Sequence, residues 1–225
     1  MNIESLVDTI SPVDCLQFMA QLSDKCVDLI LTDPPYAGAG MKYDMYDDTD
    51  KEKTTQLVLD FLKEAKRIGK IVIFPSGKYD TEIKLFQTDP PNWRLCWHKG
   101  STPNVSKVGF NDWEMMMVYG EKICVYTHDH FTVHNTEKRG NYGHPCPKPL
   151  KWAQWLINKF CPVNGIVFDP FLGSGTVMVA AETLNRRWFG CDLSPAYCDE
   201  ARRRIDKERA QLKLFKEEAD AKEAI

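Results

Sequence analysis

Along this chain, apolar residues fall into short continuous runs separated by longer stretches in which they recur at helical spacing. Val27 to Thr32 is a β-type run that stops at Asp33-Pro34-Pro35-Tyr36, and its near-continuous apolar character, interrupted by Asp28, predicts a strand covered on both faces with a loop at its carboxyl end. Lys51 to Arg67 has helical spacing at Leu57, Leu59, Phe61, Leu62 and Ala65, and Lys70 to Phe74 reads as the next strand. The same alternation resumes with a helix over Pro149 to Phe160, a strand at Ile166 to Asp169, a helix over Gly175 to Leu184 and a strand at Trp188 to Asp192. A long charged helix begins at Pro195. Between the two alternating parts the pattern changes to short strands, 93–98, 113–119 and 122–126, with Gly120-Glu121 as a tight turn. The prediction is an α/β fold: a Rossmann-like, doubly wound, mostly parallel sheet with an antiparallel hairpin at its edge. No repeat or low-complexity linker divides the chain, so residues 1–225 are expected to form a single domain.

Composition narrows the class further. With 43% apolar and 27% charged residues among 225, the chain is neither disordered nor fibrous and is long enough to bury a core without staples. Its apolar runs are strand-length, far short of the roughly 20 residues that cross a bilayer, and no membrane association is expected. The segment MNIESLVDTISPVD lacks the basic and apolar regions of a signal peptide, which points to a cytoplasmic protein. Eight scattered cysteines with no C-x-x-C pair fit reduced thiols, and the His128-Asp129-His130 and His134 group lacks a third ligand fixed by spacing, so no metal is expected. Net charge is −3, but it is unevenly spread: residues 1–50 hold ten acids against two lysines, whereas Trp93 to Phe110 holds Arg94, His98, Lys99 and Lys107 without an acid. One acidic face and one basic face follow from that division.

Two constellations carry chemistry. In Asp169-Pro170-Phe171-Leu172-Gly173-Ser174-Gly175-Thr176 a strand runs through a glycine turn into a helix, which lets a ligand lie against bare backbone at a helix start. Asp192, sixteen residues after Thr176, ends the next strand and is placed to accept both hydroxyls of a ribose. Met178 stands where a dinucleotide fingerprint has its third glycine, and the acid Asp169 repels pyrophosphate but suits a cation. S-adenosylmethionine, with its sulfonium and ammonium groups, therefore fits better than NAD. The second constellation is Asp33-Pro34-Pro35-Tyr36. An exocyclic amine on a nucleobase is a poor nucleophile because its lone pair is delocalised, and two acceptors, the Asp33 carboxylate and the Pro34 carbonyl, would localise that pair on nitrogen. The prolines hold the backbone extended, and Tyr36 offers a face on which an extruded base can stack. Asp89-Pro90-Pro91 lacks the preceding strand and the aromatic and reads as a plain turn.

With His144-Pro145-Cys146-Pro147-Lys148-Pro149 as a third element, the chain resembles the amino-group DNA methyltransferases, in the permuted β order with the catalytic motif before the cofactor motif. The resemblance implies a class I methyltransferase fold and S-adenosylmethionine as cofactor, bound by Asp14, Cys15, Asp33, His144, Lys148, Asp169, Pro170, Phe171, Gly173, Ser174, Gly175, Thr176, Asp192 and Leu193. Asp14 and Cys15 would lie near the adenine, Asp192 at the ribose and Lys148 near the cofactor carboxylate. Val13 replaces the glycine that usually precedes the acid at Asp14. Asp33, Pro34, Pro35 and Tyr36 would be catalytic, acting on N6 of a flipped adenine in double-stranded DNA, as in restriction-modification enzymes; cytosine N4, RNA and a protein glutamine are the alternative substrates. Only 107 residues separate Tyr36 from His144, too few for a separate recognition domain, so sequence reading falls to loops within 93–143. His98, Lys99, Ser101, Asn104, Lys107, Lys138 and Arg139 are the candidate DNA contacts. A protomer this small leaves room for a homodimer on DNA. The Arg202-Arg203-Arg204 run reads as a solvated helix face.

Overall fold

The computed structural model describes residues 1–40, 45–100, 109–120, 128–134 and 145–223. Its elements are β1 (Thr9–Pro12), α1 (Cys15–Met19), β2 (Val27–Leu31), α2 (Lys51–Ile68), β3 (Gly69–Pro75), α3 (Tyr79–Thr88), β4 (Trp93–His98), β5 (Trp113–Tyr119), β6 (His130–Thr132), α4 (Leu150–Phe160), β7 (Ile166–Asp169), α5 (Thr176–Thr183), β8 (Arg187–Asp192) and α6 (Pro195–Glu223). The strands form one eight-stranded sheet in the order β1-β8-β7-β2-β3-β5-β4-β6. The first five of these are mutually parallel, whereas β5 lies antiparallel between β3 and β4.

Period-two alternation splits the buried runs between two cores. Leu29, Leu31, Ile71 and Ile73 face α4, α5 and α6. Ile30, Val72 and Phe74 face α1 and α2. That two-sided burial is why Leu29 to Leu31 in β2 and Ile71 to Phe74 in β3 are continuous apolar stretches rather than alternating ones. Helix α2 starts where Asp50 caps the Lys53 amide and buries Thr54, Val58, Phe61, Leu62, Ala65 and Ile68 along one stripe. It passes straight into β3 at Gly69, where a Cβ would stand 2.8 Å from Ile30 Cδ1 and 2.9 Å from the Ala65 carbonyl oxygen. Only glycine lets the chain turn there without displacing the core.

The expected edge hairpin is displaced. β4 and β5 do pair antiparallel, but β6 adds to β4 in parallel and takes the edge position. The strand expected at 122–126 and its turn at Glu121 lie outside the described residues. β1, α1, α3 and β6 have no counterpart in the sequence reading, because elements so short or so exposed hardly express a period. From β2 the chain proceeds outward through β3, and from β7 it proceeds the other way through β8, so β2 and β7 flank the point where strand order reverses. Ligands bind outside the carboxyl ends of the strands at such a point.

Candidate active site

A cavity of about 400 Å³ opens at that point, and its wall includes Asp14, Asp33, Lys148, Asp169 and Asp192. The sequence brings the acids there because each closes or follows a parallel strand: Asp14 follows β1, Asp33 follows β2, Asp169 ends β7 and Asp192 ends β8. On the β7–β8 side the turn is tightly tied. The Asp169 carboxylate accepts the Thr32 hydroxyl at 2.6 Å and the Phe171 amide at 3.1 Å. Burial raises the Asp169 carboxyl to about 7; those two bonds oppose the rise, and the carboxylates of Asp192 and Asp33 add to it. Asp192 accepts the Gly173 amide at 2.8 Å and the Ser194 amide at 2.9 Å. Gly175 adopts φ 75° ahead of α5, and a Cβ on it would stand 2.6 Å from Ala201 Cβ, so this glycine lets α6 close over the turn. Arg204 clasps the Ser174 carbonyl oxygen from α6, and Arg202 donates to the Ile10 carbonyl oxygen at 2.6 Å. Arg202 and Arg203 are exposed, as a solvated face requires, but Arg202 and the half-buried Arg204 also fasten α6 to the rest of the fold.

The β2 side is built around one ammonium. Lys148 Nζ lies 2.5 Å from Asp33 Oδ2 and 3.4 Å from the Tyr36 hydroxyl, which donates to Glu114 Oε1 at 2.5 Å. Burial alone would lower the Lys148 ammonium, but the carboxylates of Asp33 and Glu114 hold it well above the ordinary lysine value, so it is charged. Burial, followed by those same carboxylates, lifts the Tyr36 phenol well above its usual range, so it remains a donor. Asp33 Oδ1 is buried and has no hydrogen-bond partner among the described residues. Burial and the neighbouring Asp14 push the Cys15 thiol up to about 12, which makes it part of the wall and not a nucleophile.

Most of the expected cofactor residues converge on this cavity: Asp14, Cys15, Asp33, Lys148, Asp169, Pro170, Phe171, Gly173, Ser174, Thr176, Asp192 and Leu193 all line it. Asp14 also caps α1 through the Gln17 amide, a structural task that the resemblance does not include. Pro35 lines the cavity, while Pro34, Tyr36 and Gly175 stand outside its wall. Lys148, besides lining the cavity, has its ammonium engaged by Asp33 within the catalytic motif. Lys99 is a buried residue, 6% exposed, and its amide donates to the Asp112 carbonyl oxygen. His98 ends β4 and is exposed, on the same sheet edge as the cavity because two antiparallel pairings bring β4 back into the direction of β3. His144, Ser101, Asn104, Lys107, Lys138 and Arg139 lie outside the described residues. Sequence reasoning missed Glu114, Thr32, Tyr46 and Trp152. Glu114 had a signal, being a lone charge in the otherwise apolar run Trp113 to Tyr119.

A glycine turn and a ribose-type acid at the switch point of a doubly wound sheet define an α/β protein built to hold a nucleoside-bearing ligand. Residues 80–203, over half of the chain, match the DNA methylase family of the N6/N4 type, and the chain belongs to that family. It is 29% identical over 191 residues to YubD of Escherichia coli (strain K12), covering 82% of this chain and 84% of that protein. To the type II methyltransferase M.HpaI of Haemophilus parainfluenzae it is 26% identical over 235 residues, covering 87% and 73% respectively. Among solved structures, PvuII DNA methyltransferase (cytosine-N4-specific) superposes with a TM-score of 0.67 at 19% identity, over 85% of this chain and 84% of that one. M1.HpyAVI in complex with SAM superposes at 0.65 and 19% identity, over 88% and 98%. These likenesses show that the chain has the class I methyltransferase fold.

Proposed function

We propose that this chain is an S-adenosylmethionine-dependent DNA amino methyltransferase of the β group that methylates N6 of an adenine flipped from the duplex. The observation that carries the reading is Asp33 Oδ1, a buried acceptor without a partner at the carboxyl end of β2. Native structures rarely leave such an atom unsatisfied, and a substrate amine is the partner it suits. The rest of the cavity fits the cofactor. Its carboxylates Asp14, Asp169 and Asp192 complement a sulfonium and an ammonium, and Phe171, Leu172 and Leu57 supply apolar wall. Trp152 is fully buried in the same wall with an indole N–H that has no acceptor among the described residues, matching the carboxylate of an amino-acid moiety. In this reading Asp192 holds the ribose, Asp169 the ammonium end and the Phe171 to Thr176 turn the methionine portion. When bound, S-adenosylmethionine supplies the electrophilic methyl group.

The chain's own residues do the rest. Asp33 Oδ1 accepts one hydrogen of the exocyclic amine and the Pro34 carbonyl the other, which concentrates the lone pair on nitrogen. Lys148 neutralises Asp33 Oδ2 and fixes the carboxylate in one orientation. Tyr36 presents its ring to the extruded base, a stacking contact typically worth ~1–3 kcal/mol. The order of motifs, with Asp33 before Gly173, supports the β group, and aspartate at the first catalytic position supports adenine. Recognition is assigned to loops within 93–143 and to His98 at their base, without a separate domain, in a cytoplasmic protein. A second protomer would extend the footprint of so small a chain, which sedimentation with and without DNA would test.

The decisive experiment is incubation of the purified protein with methyl-labelled S-adenosylmethionine and unmethylated DNA, followed by nucleoside mass spectrometry. N6-methyladenine is the expected product. N4-methylcytosine would transfer the same mechanism to the other base, while label appearing only in RNA or at a protein glutamine would overturn the DNA reading.

A further inference from the structure

Glu114 belongs to β5, yet it reaches the catalytic motif: its Oε1 accepts the Tyr36 hydroxyl at 2.5 Å across 78 residues of sequence. The same hydroxyl lies 3.4 Å from Lys148 Nζ, and that nitrogen lies 2.5 Å from Asp33 Oδ2. One ammonium thus touches both the phenol and the catalytic carboxylate, which brings the two groups to the same few ångströms of the site. A phenol has a single proton to donate, so two carboxylates compete for it. Glu114 wins that competition, and Asp33 Oδ1 stays buried without a partner. Were the hydroxyl to turn from Glu114 toward Asp33, it would compete with the substrate amine for that carboxylate.

We infer that Glu114 is a positioning residue that holds the Tyr36 hydroxyl off Asp33, keeping Asp33 Oδ1 open for the hydrogen of the substrate's exocyclic amine. This rests on the function proposed above. It also accounts for a carboxylate on β5 two residues before the buried run Met116 to Tyr119 and opposite the buried Trp97, where a charge without a task is costly.

The test is a double-variant cycle of methyl transfer to DNA, with cofactor-analogue affinity measured in parallel using sinefungin. Glu114→Ala is expected to lower kcat roughly 10–100-fold while sinefungin affinity is unchanged. Glu114→Gln keeps an oxygen that accepts from the phenol and should recover most of that loss. The distinguishing result is Glu114→Ala combined with Tyr36→Phe: with no hydroxyl left to obstruct Asp33, its rate should rise to that of Tyr36→Phe alone. A crystal structure of ligand-free Glu114→Ala should show the Tyr36 hydroxyl hydrogen-bonded to Asp33. Additive losses in the double variant, a wild-type rate for Glu114→Ala, or a Tyr36 hydroxyl still turned from Asp33 in the variant crystal would each overturn the inference while leaving the methyltransferase reading intact. A wild-type protein that methylates no nucleic acid would overturn the reading itself.

Discussion

On the β7–β8 side of the cavity both carboxylates are held by the backbone or by neighbouring hydroxyls, Asp169 by Thr32 and the Phe171 amide and Asp192 by the amides of Gly173 and Ser194. On the β2 side Asp33 has one oxygen bound by Lys148 and the other without a partner among the described residues. The first side is shaped before any ligand arrives, which lowers the ordering cost of binding. The second retains an unsatisfied acceptor, at a cost of about 1–3 kcal/mol, because an acceptor already occupied could not receive a substrate. Rigidity and incompleteness sit within one cavity and serve different ends.

The sharpest way to break that contrast is Asp33→Ala. Turnover should fall roughly 10²–10³-fold, as for loss of a transition-state hydrogen-bond partner, with sinefungin affinity retained on the intact opposite side. Full turnover by this variant would end the assignment of Asp33. A smaller effect is expected from Gly175→Ala, which forces a Cβ to 2.6 Å from Ala201 Cβ at a left-handed φ of 75°. Overpacking of this kind typically costs about 1–3 kcal/mol, to be read as a lower midpoint in chemical denaturation together with weaker sinefungin binding. An unchanged midpoint would show that the turn is less constrained than its contacts imply.

The smallest effect concerns pH. Asp169 has a folded value near 7 against an ordinary 3.8, so the folded chain holds this proton more tightly than the unfolded one. Its contribution to stability is complete below 3.8 and is lost as pH rises through about 7. Binding of a cation beside it follows the opposite course, strengthening as the carboxyl ionises. Asp169→Asn preserves an oxygen for Thr32 and the Phe171 amide while removing the titration. It should flatten both slopes, measured as melting temperature and sinefungin affinity between about pH 6 and about pH 8. Slopes that survive in the variant would assign the titration to another group.

Much of the fold was legible because its signals are local. The strands at Val27, Ile166 and Arg187 are apolar runs bounded by turn residues, and the helix over Lys51–Ile68 carries a stripe and a cap that a short window contains. The acids of the site were legible for the same reason: Asp33, Asp169 and Asp192 follow their strands directly, so a predicted strand predicts its carboxyl end as well. The edge of the sheet was not legible. β6 has three residues, and its parallel pairing to β4 depends on where two distant segments meet.

What the sequence determined by itself is therefore the alternation of strands and helices, the chemistry of the motifs and the side of the sheet on which they emerge. The tertiary structure alone decided which of those groups meet. Lys148 lies 115 residues from Asp33, Thr32 lies 137 from Asp169 and Glu114 lies 78 from Tyr36, and each pair is in hydrogen-bond contact. It also decided that Lys99 is buried and that Arg202 and Arg204 fasten α6 to β1 and the glycine turn. The physical reason is one of range. Propensity and periodicity act over a few residues, whereas a hydrogen bond or a burial is set by the strand order and by the helices that close over it.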